Sequence, residues 1–328
     1  MKEKLIALVV AGSLAAPMMA QAAPTVYGKV HLSYGSVEDQ DSTGSVIEDN
    51  WQMRSHASRF GVKGDRDLGN GLSAIYKFEW QVDYEQGTDA GFDRRNMYAG
   101  LKGHWGQVRF GRHDTPLKMA QGKFDLFGDT DADIKHAGDQ DGEDRLDNVA
   151  AYLGQSGNIK YAVALIPGEG DGVTAGDGIS DALSASIAYD AGPLYVALAQ
   201  TSYDDTGAAA GTENSLTRLV GTYKMGNMQI GALYQTGVES VTVAADEEDW
   251  MGLSFSTSFA GNNKFKLQYI TSEDSATIKT ENTVMAVGLD HKFDKKTKGY
   301  VMYTADEAET GSLSEEDTFL GAGLVLKF

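Results

Sequence analysis

From Leu72 the even positions run Leu72, Ala74, Tyr76, Phe78, Trp80 and Val82, while Ser73, Lys77, Glu79, Gln81 and Asp83 fall among the odd ones. An apolar/polar period of two places one set on each face of a β-strand, so this segment has an apolar face and an ionic one. The pattern recurs. Met251, Leu253, Phe255 and Phe259 alternate with Gly252, Ser254, Ser256 and Ser258, and Phe265, Leu267 and Tyr269 with Lys264, Lys266 and Gln268. Near the end of the sequence Leu320, Ala322, Leu324, Leu326 and Phe328 oppose Gly321, Gly323 and Lys327. A slip of one residue would exchange the two faces of any of these segments, so their register is fixed.

Segments of about ten residues of this kind are separated alternately by short turns and by longer polar loops. The short turns are of the type Ser156-Gly157-Asn158 and Met225-Gly226-Asn227. Sixteen strands are expected, the first at about 25–35 and the last at about 317–328, with no helical period of useful length between them. An even count of antiparallel strands fits an all-β, 16-stranded transmembrane barrel. Short turns would face the periplasm and long loops the exterior. A soluble β-sandwich also alternates, but two packed sheets need a larger apolar set than strands with one charged face supply. In lipid, closure also removes the unpaired edge that an open sheet would expose.

The first 22 residues have a different character. Lys2 and Lys4 precede an apolar run from Leu5 to Ala16 and a small-residue site at Ala20-Gln21-Ala22. This is the layout of a cleaved secretory signal peptide over 1–22, followed by a barrel domain over 23–328. The apolar run is too short for a membrane anchor. Cysteine is absent, which removes disulfides and thiolate metal sites, while 39 glycines against 5 prolines suit many turns between strands. A formal charge of −19 disfavours nucleic acid as a partner. It suggests acidic vestibules that enrich cations, and with them a weak cation preference.

Several motifs in order are specific for a family. Thr25-Val26-Tyr27-Gly28-Lys29-Val30 opens the first strand, and Ser58-Arg59-Phe60-Gly61-Val62-Lys63-Gly64 is followed by Asp67-Leu68-Gly69-Asn70-Gly71. Arg95-Asn96-Met97-Tyr98-Ala99-Gly100 and Trp105-Gly106-Gln107-Val108-Arg109-Phe110-Gly111-Arg112 come next, with Phe328 at the other end. Across nearly the whole chain this resembles the general Gram-negative diffusion porins of the neisserial and enterobacterial type. The resemblance implies a homotrimer in outer-membrane lipid and lipopolysaccharide, delivered by periplasmic chaperones and barrel-assembly machinery. It also implies passive diffusion of small hydrophilic solutes, with no enzymatic activity.

The resemblance further implies that the long stretch from Thr115 to Asp147 folds inward and narrows the lumen. The basic side of that constriction would be Lys29, Arg59 and Arg95, with Arg109 and Arg145 as weaker members. The acidic side would be Asp125 and Asp129. Alternation separately turns Lys29 and Arg59 inward, although charges on a wet wall can also be merely solvated. The loop tip lacks the Pro and paired glycines usual in the family. Its carboxylates, from Asp131 through Asp139, Asp141 and Glu143 to Asp147, make Ca²⁺ a candidate ligand. Asp129-Thr130-Asp131-Ala132-Asp133 begins like an EF-hand loop, but the required sixth-position glycine is Ile134.

No Gly-x-Ser-x-Gly elbow or helix-linked phosphate loop is present. The alternatives to a general pore are a channel selective for phosphate, sugars or dicarboxylates, and a structural or adhesive barrel. The alternation weakens around Arg54 and His56, which suggests a subunit contact or a position above the lipid band.

Overall fold

The computed structural model describes residues 23–83, 91–136, 142–168, 179, 181–203, 213–241, 244–274 and 279–328. The expected signal peptide and the loop acids Asp139 and Asp141 lie outside them. One antiparallel sheet closes on itself, because β1 (Thr25–Gln40) pairs with β17 (Leu313–Lys327) on one side and with β2 (Val46–Ser55) and β3 (Arg59–Gly69) on the other. β2 and β3 are two lengths of one wall strand, so seventeen segments make the expected sixteen strands.

The break has a local cause. Between the pairs Leu32↔Ser55 and Lys29↔Arg59, β1 spends two residues and its partner three. The surplus is absorbed as a bulge at Ala57, whose φ is +47°. His56 N–H still donates to the His31 carbonyl at 2.9 Å. Ser58 Oγ accepts from His31 N–H at 2.9 Å and donates to its carbonyl at 3.1 Å, replacing the ladder bonds lost at the bulge.

Alternation sorts the side chains as expected. Leu253, Leu320 and Trp51 are exposed on the outer surface at 64%, 61% and 65%. In a soluble protein such a band would be a liability, whereas in lipid it is the solvated face. At the short turns Gly157 and Gly226 take φ of +57° and +61°, the left-handed conformation that tight hairpins demand.

The interior holds an apolar feature where a strict alternation would place polar residues. Leu117, Phe124, Phe127, Ala132 and Ile134 of the inward loop are buried with Leu216, Val220, Leu233, Ile270 and Val284 of the wall in a single apolar cluster. Leu216 and Val220 lie on β11 (Glu213–Met225), and Leu233 on β12 (Met228–Val241). The cluster continues through Ile270 on β14 (Asn263–Asp274) and Val284 on β15 (Thr280–Lys292). The loop therefore fastens to one side of the lumen as a small hydrophobic core. Room for it comes from glycine. A Cβ at Gly252 would stand 2.5 Å from the Phe124 ring, and one at Gly288 would stand 2.9 Å from the Phe127 ring.

Candidate pore constriction

The inward loop begins with α1 (Pro116–Ala120), capped by Thr115, whose hydroxyl accepts from Lys118 N–H at 3.1 Å. Polar wall residues then satisfy its irregular backbone. Tyr195 OH donates to the Ala120 carbonyl at 2.8 Å, and Gln229 Nε2 to that of Lys123 at 3.0 Å. Leu126 is held at both ends: its N–H donates to Gln268 Oε1 at 2.7 Å and its carbonyl accepts from Lys266 Nζ at 3.0 Å. At the loop's far end Glu143 meets Arg218, a wall residue only 2% exposed, at 2.7 Å. Of these anchors only the carboxylate of Glu143 stood among the candidate residues of the sequence.

The tip they fix carries Asp129, at φ +66°, with its N–H donating to Asp133 Oδ2 at 2.6 Å. Asp129 Oδ2 receives Lys29 Nζ at 2.6 Å and Arg59 Nη2 at 2.5 Å, while Arg95 Nη2 lies 3.9 Å from Oδ1. Three of the expected basic residues thus meet one of the two expected acids. Burial alone would raise the Asp129 carboxyl, but Arg59 and Lys29 outweigh it and hold the group well below the usual carboxylate range.

Asp125 is elsewhere. It is buried under the loop, accepting from Phe127 N–H at 2.8 Å and Gln268 Nε2 at 3.2 Å, and it does not meet the basic trio. Burial and then the neighbouring Asp133 carboxylate push its own carboxyl up to about 8. Arg109 lies over the Tyr98 ring at 4.6 Å and against Gln107 and His113, apart from Asp129. Arg145 pairs with Asp114 at 2.7 Å, its direct cross-strand neighbour where the loop returns to the wall, and does not meet Asp129.

A second acid comes from the wall. Glu79 accepts from Tyr27 OH at 2.8 Å and lies 3.1 Å from Lys77 Nζ and 3.2 Å from Arg95 Nε. The inward parity of Lys77, Glu79 and Gln81 was the available signal for it.

Arg54 and His56 correct an expectation. Arg54 reaches Asp131 of the loop at 3.0 Å, and His56 Nε2 lies 2.7 Å from Ser33 Oγ in the buried interior. Both face the lumen, so neither is an outward charge that a subunit contact would have to cover. The loop that partners Arg54 is remote in sequence, which is why the residue looked misplaced.

The wall also changes sign along its length. Towards the long loops acids lie opposite acids, as in Asp39↔Glu48, Asp39↔Asp317 and Asp306↔Asp317. Towards the short turns lysines lie opposite lysines, as in Lys29↔Lys327 and Lys292↔Lys298.

A family model described as Gram-negative porin matches residues 6–311. The outer membrane porin protein 32 of Delftia acidovorans is 26% identical over 92% of this chain and 88% of its own length. The major outer membrane protein P.IB of Neisseria lactamica is also 26% identical, over 89% and 100%. Among solved structures, the anion-selective porin from Comamonas acidovorans has a TM-score of 0.79 at 21% identity, covering 93% of this chain and 99% of that one. The trimer form of OmpT from Vibrio cholerae has 0.70 at 19%, covering 94% and 100%.

Proposed function

This chain belongs to the Gram-negative porin family and is an outer-membrane porin, and from that premise we propose that small hydrophilic solutes diffuse passively through its lumen under the control of Asp129 and the cations around it. The observation that carries the proposal is the convergence of Lys29, Arg59 and Arg95 on one carboxylate borne by a loop that is itself fastened to the opposite wall. A charged cluster that spans the lumen sets the narrowest electrostatic section a solute must cross.

Its sign favours anions. Lys29, Arg59, Arg95 and Lys77 face Asp129 and Glu79, four cations against two acids. The cation preference expected from total charge counted acids that stand towards the long loops, away from this cluster, such as Asp39, Glu48, Asp306 and Asp317. The solved porin from Comamonas acidovorans, which shares this fold, is anion-selective. Reversal potentials of the protein in planar bilayers across a salt gradient test this: a shift towards the anion potential supports it, and clear cation selectivity overturns it.

We assign the working form as a homotrimer in lipid and lipopolysaccharide, in line with the trimer form of the similar OmpT. Migration of the unheated protein on a gel as a species of three chains tests the assembly.

A further inference from the structure

Below Asp129, on the side of the short turns, the lumen opens into a vestibule of about 770 Å³. Lys292, Lys295, Lys296, Lys298 and Lys327 line it together with Lys29 and Arg59. Seven cations in a space of this size repel one another strongly unless acids intervene, and the acids present are already engaged. Asp129 holds Lys29 and Arg59. Asp290 takes Lys298 at 3.0 Å and Lys266 at 3.2 Å. Asp294 turns its carboxylate into its own turn, accepting the N–H groups of Lys296 at 2.6 Å and Thr297 at 2.7 Å, and so offsets one charge of the lining without pairing with any lysine head. Among the described residues no acid lies within ion-pair distance of Lys292, Lys295, Lys296 or Lys327.

The register aggravates the repulsion. Lys327 is the direct cross-strand neighbour of Lys29, and Lys292 that of Lys298. Like charges opposed in this way destabilise a sheet. A wall that keeps two such pairs around one concavity is organised for negative charge supplied from outside.

We propose that this vestibule is a binding site for a small multivalent oxyanion, a compact molecule carrying several phosphate or carboxylate groups. Valency is selected because four lysines from one turn and two strands converge on the space. A monovalent ion meets them one at a time, whereas a molecule with several linked anionic groups meets them together, each later contact being intramolecular. Size is selected by the volume, which suits a small solute rather than a polymer. The site sits beyond the constriction from the exterior, so a bound anion occupies the periplasmic mouth.

The inference rests on the reading of the lumen as a pore only for its effect on current; binding itself does not require conduction. The probe is inorganic tripolyphosphate, titrated by calorimetry into the folded, detergent-solubilised protein at low salt. The natural sequence should bind it, and K292Q/K296Q/K327Q should bind at least tenfold more weakly while keeping the β-sheet circular dichroism of the folded barrel. Equal affinity in the two proteins overturns the site. A K63Q/K102Q control, altering lysines outside the vestibule, should bind as the natural sequence does; a loss there equal to that of the triple variant would mean diffuse attraction and also overturns it. Absence of chloride conductance with tripolyphosphate binding intact would sink the pore reading and leave the site standing.

Discussion

Lys29 and Arg59 are direct cross-strand neighbours whose cationic heads meet on the same oxygen of Asp129. Two like charges opposed on a sheet would repel, and the loop carboxylate inserted between them turns that repulsion into attachment. The constriction loop is thereby tied at its tip to the wall opposite its hydrophobic seat.

Asp129→Asn should therefore act on permeation more than on folding. The cluster changes from two net positive charges to three, so the anion-to-cation permeability ratio should rise several-fold in reversal-potential measurements. An unchanged ratio would mean that selectivity is decided elsewhere in the lumen.

Because Asp129 titrates below the usual carboxylate range, its charge persists as the solution is acidified. The natural sequence and D129N should keep the same difference in selectivity from pH 7 down to about 4, the ordinary carboxylate region. Convergence of the two proteins above pH 4 would show that the carboxylate is not held by its cations.

Asp125 has the opposite sign of linkage. Its folded value is raised to about 8, so between roughly pH 4 and 8 the folded protein holds a proton that the unfolded chain has released. Stability from this group is fully present below the unfolded value and declines as pH rises to about 8. Asp125→Asn, which keeps an acceptor for Phe127 N–H, should flatten that decline in thermal melts. A decline of the same slope in the variant would refute the assignment.

The seat of Phe124 can be tested by exchanging volume. Gly252→Val places a methyl-bearing carbon against the ring and should dislodge the loop, seen as noisy single-channel current. Phe124→Ala alone removes packing worth about 3–5 kcal/mol in ordinary protein cores and should loosen the loop as well. Joined in one protein, the two changes should partly restore quiet conductance, because the space lost at one position is returned at the other.

The wall was legible in the sequence because a period of two is a backbone property that survives in every strand. It placed Lys29 and Arg59 inward, and the family motifs added Arg95. The loop offered no such period. Asp125 and Asp129 are both acids in coil, and only the fold shows that Gln268 and Phe127 hold the first while Lys29 and Arg59 take the second. The hydrophobic seat did leave a trace: Leu216, Val220 and Leu233 are apolar on the face that should be polar, and Gly252 is bare there. That lapse in alternation marks where a covering segment lies, yet it cannot say which segment covers it.

The reversal of sign along the lumen, acids opposing acids at one end and lysines opposing lysines at the other, gives the passage the layout of an electrical junction. Under one polarity mobile ions of both signs are driven into the junction and under the other they are drawn out, so conductance should differ with the direction of the voltage. The difference should be greatest in dilute salt, where charge acts across the lumen, and should fade near 1 M, where screening shortens to about 3 Å. A barrel with no energy source of its own would then conduct unequally in its two directions.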